Sequence, residues 1–123
     1  VPAVGFAMEG DTGWWVFSGD TERNPIFWER VNALSVACLV IETAFSNRER
    51  ELARRSLHLS PETLAQELAR IPATSSFPIY ITHTKPSETS LIMDEIRRFD
   101  RVPADQDSAH DIRWLCAGQT ILV

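Results

Sequence analysis

The sequence is short of cysteine, of basic residues and of long apolar runs, and each shortage closes off a class of function. Two cysteines, Cys38 in "SVACLVIE" and Cys116 in "RWLCAGQ", are too isolated for a disulfide framework. Both read as small core residues, which favours a reducing, cytoplasmic setting; a periplasmic one needs a signal upstream. With 12 Lys and Arg against 17 Asp and Glu the formal net charge is −5, and no basic cluster offers a face to nucleic acid. No apolar stretch approaches the roughly 20 residues that cross a bilayer, and no basic segment followed by an apolar one opens the chain. The opening "VPAVGF" lacks an initiator Met, from which we expect further sequence upstream.

What is there has the make-up of an ordinary globular protein. The 123 residues are 44% hydrophobic and 24% charged, which suits one domain over 1–123 with a single core, or part of a larger one. "AVGFAME" and "GWWVFSG" flank the turn-forming "GDTG" and predict a hairpin. Asn24 and Pro25 are the cap and first residue of a helix in which Phe27, Val31 and Leu34 recur at helical spacing. "SVACLVIE", Ser35 to Glu42, is continuously apolar and β-branched, the pattern of a strand covered on both faces. Ser46 and Glu49 in "SNRE" form a capping-box pattern for a helix ending near Arg55. In "LSPETLAQELARI" Ser60 caps, Pro61 opens, and Leu64, Leu68 and Ile71 share a face. "FPIYITH" predicts a strand ending on a polar side chain, and "KPSETSLIMDEIRRF" a helix capped by Ser87 with Ile92, Ile96 and Phe99 inward. "RVPADQDSAHD" reads as a polar loop, and "IRWLCAG" and "QTILV" as closing strands. Strands alternating with helices predict an α/β layered sheet.

In such sheets ligands collect beyond the carboxyl ends of the strands, where Asp20 follows one strand and His83 closes another. A carboxylate and a neutral imidazole suit zinc, manganese or iron, and a bound ion lowers the pKa of its water towards neutrality. Spacing alone does not make them a site, because a catalytic zinc usually has three protein ligands and a water. Without further context Asp20 serves equally as a cap near Asn24, and His83 as a hydrogen-bonded strand end.

The wider context narrows the choice. "VPAVGFAMEGDTGWWVFSGDT", "LVIETAFSNRERELARRSLHLSPETLAQEL" and "IYITHTKPSETSLIMDEI", in that order, resemble the C-terminal half of metallo-β-lactamase-fold hydrolases, specifically the class II cyclic-nucleotide phosphodiesterases. The resemblance extends to about Phe99. It implies that Asp20 of "SGDT" bridges two divalent ions, most readily zinc with manganese or iron as alternatives, and that His83 of "ITHTKP" completes one ion's ligand set. "LHLSP" is similar to the family's His-Leu-Thr-Pro segment, with Ser60 in place of Thr, and brings His58 near the site as a catalytic residue or as a cover for the helix junction. Glu42 at the end of the central strand is either a partner for the free ring nitrogen of His83 or a solvated carboxylate. Lys85, two residues after His83, either offsets substrate phosphate charge or is simply solvated. His110 lies beyond the matching blocks and takes no role.

The departures matter as much. The family's His-x-His-x-Asp-His motif belongs to the N-terminal half, and three histidines, His58, His83 and His110, cannot supply it. The resemblance therefore implies half of a four-layer αββα sandwich, a mixed sheet with flanking helices whose apolar face, including parts of "SVACLVIE", demands a partner. Trp14, Trp15 and Trp28 either enlarge that face or fill the core. The partner is an N-terminal half or a second copy of the chain, and the substrate a cyclic nucleotide or another small phosphodiester. Two alternatives stay open: a non-catalytic remnant that forms a homodimer, and a hydrolase of the same fold acting on RNA ends, lactones or thioesters.

Overall fold

The computed structural model describes residues 3–100 and 110–123 and contains one five-stranded sheet. Strands β1 (Phe6–Glu9) and β2 (Trp14–Phe17) form the expected antiparallel hairpin, closed by Gly10 N–H donating to the Gly13 carbonyl at 2.9 Å. β2, β3 (Val36–Glu42), β4 (Ile79–Thr82) and β5 (Ile112–Trp114) then run parallel in that order. The crossovers carry α1 (Pro25–Asn32), α2 (Arg50–Arg55), α3 (Pro61–Leu68) and α4 (Thr89–Asp100). No helix among the described residues is long and apolar enough to cross a membrane.

Local chemistry explains the helix starts. Asn24 Oδ1 accepts from Phe27 N–H at 3.2 Å with Pro25 at the first position, a cap of about 1 kcal/mol. At α3 Thr63 Oγ1 accepts from the Ser60 N–H at 2.9 Å, so Thr63 takes the return half of the capping box. Two helices begin differently from the sequence expectation. Ser46 and Ser87 make no side-chain cap; short 3-10 turns, Asn47–Glu49 and Pro86–Glu88, lead into α2 and α4 instead. The polar loop read in "RVPADQDSAHD" falls largely on 101–109, outside the described residues.

α1, α3 and α4 bury one face of the sheet. Trp28, Val31, Leu64, Leu68, Ile92 and Ile96 pack on Val16, Leu39, Ile41, Ile79 and Ile81. Trp28 thus fills the core, and its indole N–H donates to the buried carboxylate of Glu67, which also receives Arg23 Nε at 3.0 Å. The opposite face corrects two expectations. "QTILV" is no strand; with Leu115, its residues Ile121 and Val123 lie over Cys38, Val40 and Tyr80, and Asp11 N–H donates to the Val123 carbonyl at 3.1 Å. The part of "SVACLVIE" expected to be bare is therefore covered, while Cys116, expected in the core, is exposed. Phe6 and Met8 of the edge hairpin, cross-strand partners of Phe17 and Trp15, stay open on that face. A second sheet, which a four-layer sandwich requires, is not formed by the described residues.

Candidate metal centre

The carboxyl ends of β2, β3 and β4 lie side by side, and the central one ends on Glu42, which is fully buried. Each residue of "SGDT" has a local task there. Ser18 extends the ladder by donating its N–H to the Val40 carbonyl at 2.9 Å, and its hydroxyl accepts from Glu42 N–H at 3.3 Å. Gly19 turns the chain at φ +65°, where a Cβ would lie 2.2 Å from the Val4 carbonyl oxygen, so only glycine fits. Asp20 is thereby carried past the strand end, and Thr21 N–H donates to Glu42 Oε1 at 3.1 Å.

The second arm comes from the end of α2. Leu57 N–H donates to the Arg54 carbonyl and His58 N–H to the Ala53 carbonyl at 2.9 Å, a Schellman cap with Leu57 in the left-handed region at φ +60°. The turn brings His58 Nδ1 within 3.1 Å of Glu42 Oε1, and Leu59 N–H donates to the same oxygen at 3.1 Å. β4 supplies the third arm: Thr43 N–H holds the Thr82 carbonyl at 3.1 Å, and His83 follows at φ +61°. Leu57 and His83 are the non-glycine residues of positive φ among those described, and both border the same site, where backbone strain commonly collects.

Asp20, His58 and His83 each place one ligand atom within 4.8 Å of the others. His83 Nε2 lies 3.9 Å from Asp20 Oδ1, and the two imidazoles stack with centroids 5.4 Å apart and planes 25° apart. Ligands of a tetrahedral zinc sit about 3.4 Å apart, somewhat closer than here, and a carboxylate with two imidazoles is a suitable donor chemistry. Glu42 Oε1 takes all three hydrogen bonds of that carboxyl, and Oε2 is buried without one. Burial pushes the Glu42 carboxyl above its ordinary range, opposed by the Leu59 and Thr21 amides and by His58. With Nδ1 engaged by Glu42, His58 has Nε2 left to act.

No protein-family model and no curated protein matches the chain. Among solved structures it is similar to unliganded yeast PDE1, with a TM-score of 0.60 at 18% identity over 82% of this chain. The chain spans 33% of the length of that protein. At this identity the likeness is one of fold.

The structure thus brings together four of the five side chains singled out in the sequence, with one exchange of partners. Glu42 orients His58, whereas the sequence reading paired it with His83. Lys85 is not part of the group: its Nζ lies 3.1 Å from Glu49 Oε1, and its backbone N–H is tied to the Ala44 carbonyl. His110 is bonded to Asp100 at 2.6 Å and stays apart. Beside Asp20 and His58 opens a cleft of about 710 Å³, lined also by Val4, Phe17, Arg23, Phe27 and Leu57. Sequence reasoning missed Arg23 and Leu57. Arg23 had a signal, its place in "GDTERNP", whereas Leu57 had none beyond its position before His58.

Proposed function

We propose that this chain is the C-terminal part of a metal-dependent phosphodiesterase that hydrolyses cyclic nucleotides once an N-terminal half completes its site. The observation that carries the proposal is the meeting of Asp20, His58 and His83 within 4.8 Å, delivered by the three segments whose motifs resemble that family. A pair of divalent ions, zinc before manganese or iron, supplies charge stabilisation at the phosphoryl group and a lowered pKa for water. Asp20, exposed with both oxygens available, would hold the ions, and His83 would offer Nε2 beside it. His58 has a donor atom close enough to join the ligand set of this chain alone. In the completed site it gives a proton to the leaving oxygen through Nε2, while Glu42 orients the ring through Nδ1. The open side chains Phe6 and Met8 support a partner on the sheet face away from the helices.

Native mass spectrometry with metal analysis tests this reading: a companion polypeptide and about two ions per pair are expected. A metal-free homodimer would instead favour a non-catalytic remnant that self-associates through Phe6 and Met8, the second reading that those exposed residues admit. In the completed enzyme Asp20→Ala abolishes detectable hydrolysis and leaves the circular dichroism spectrum unchanged; near-normal turnover removes Asp20 from the mechanism.

A further inference from the structure

The Schellman cap that presents His58 contains a side chain that folding does not explain. The residue in the left-handed position of such a cap is most often glycine, because an L side chain disfavours that conformation roughly fivefold or more. Here it is Leu57, at φ +60°. The apolar contact that accompanies a Schellman cap involves the following residue, not this one. Leu57 is 63% exposed, so packing within the chain returns little for the strain. A glycine would turn the backbone as well and deliver His58 to Glu42 in the same way.

What the leucine side chain does reach is the cleft beside Asp20 and His58, which it lines together with Val4, Phe17 and Phe27. Its volume of about 710 Å³ falls in the range of small-molecule sites, which pair apolar walls with a few placed polar groups. Arg23 and Asn24 provide such groups here. Arg23 is held at Nε by the buried Glu67, so its guanidinium is a fixed feature of that wall. Two of the three donors, Asp20 and His58, therefore line a cleft that also has apolar walls.

We infer that Leu57 is a specificity-determining residue: its side chain packs against an apolar or aromatic arm carried by the phosphodiester substrate and favours such esters over those that lack one. The inference rests on the reading of Asp20, His58 and His83 as the reacting end of the cleft. Its signature is a divergence between stability and recognition. Leu57→Gly relieves the strained backbone, so its thermal midpoint is equal to or above the parent's. The same change weakens binding of bis(4-nitrophenyl) phosphate about five- to tenfold and leaves dimethyl phosphate unaffected, the difference expected from losing one apolar contact. Leu57→Asn, which tolerates the left-handed backbone, shows the same loss of discrimination.

Both probes are titrated into the zinc-loaded chain and followed by amide chemical shifts around Asp20, Thr21 and Leu59, with zinc content measured separately. A lowered midpoint in both variants, or an unchanged preference between the two esters, overturns the role of Leu57. If the parent retains zinc through Asp20 and His83 while the preference is unchanged, only this inference falls. If it retains none and the cleft amides respond to neither ester, the hydrolase reading falls and takes the inference with it.

Discussion

On one face of the sheet Leu39, Ile41, Ile79 and Ile81 lie beneath helices at 1% exposure or less, whereas on the other Phe6 and Met8 keep 57% and 59% of their surface. Between these extremes Cys38, Val40 and Tyr80 are buried by Trp15, Phe17 and the segment from Leu115 to Val123. Closure of the second face is therefore graded, complete over the central strands and lost at the antiparallel edge. Fully burying a Phe or Met side chain is worth roughly 1.5–3 kcal/mol, and the edge hairpin leaves much of that unused. A sheet with a helical layer on one side alone is stable where irregular chain can cover the remainder; where it cannot, apolar surface stays available for association.

The contrast is sharpest in a graded set of truncations. Ile81→Ala opens a cavity under the helices and should lower the unfolding free energy by about 3–4 kcal/mol in urea denaturation. A loss below about 1 kcal/mol would mean that the helical layer is no tighter than the irregular cover. Val40→Ala, on the face where Leu115, Ile121 and Val123 can settle inward, should cost about 1–2 kcal/mol. Phe6→Ser should change the stability of the isolated chain by no more than about 0.5 kcal/mol while weakening self-association or companion binding in analytical ultracentrifugation. If Phe6→Ser is as costly as Val40→Ala in the monomer, the edge is not open in solution.

The smallest effect concerns Arg113, which lies over the Tyr80 ring at 5.8 Å and is held by Asp111 at 2.7 Å. The hydrogen bond from Arg113 depresses the Asp111 pKa, so the native state favours the ionised carboxylate. That contribution is present above the ordinary carboxylate pKa of about 3.9 and disappears as pH falls through the lowered value. Asp111→Asn should thus produce a slight drop in thermal midpoint at pH 6 that vanishes in strong acid. The pair is exposed, so a large shift would be unexpected.

Much of the fold was legible because the strongest signals were local. The apolar run ending at Glu42, the Asn24-Pro25 and Ser60-Pro61 starts and the "GDTG" turn depend on neighbours in sequence, and each forms where expected. The tail was misread for a related reason: "QTILV" has strand composition, but Gly118 at φ +81° and the covering of Cys38 direct it across the sheet. At the site, Asp20 and His83 were visible as polar residues at strand ends. His58 was not visible from pattern alone, since its place depends on a helix ending in a left-handed turn that no glycine announces. The partner of Glu42 was beyond reach as well, because both imidazoles lie near the carboxyl edge and only the path of the chain after α2 decides which of them meets the carboxylate.

Glu42 Oε1 receives the amides of Thr21 and Leu59 and the ring of His58 on a single atom. The loop after β2 and the turn after α2 thereby hang from one pivot. A change at Glu42 itself acts on both at once, and with them on the placing of Asp20 and His58.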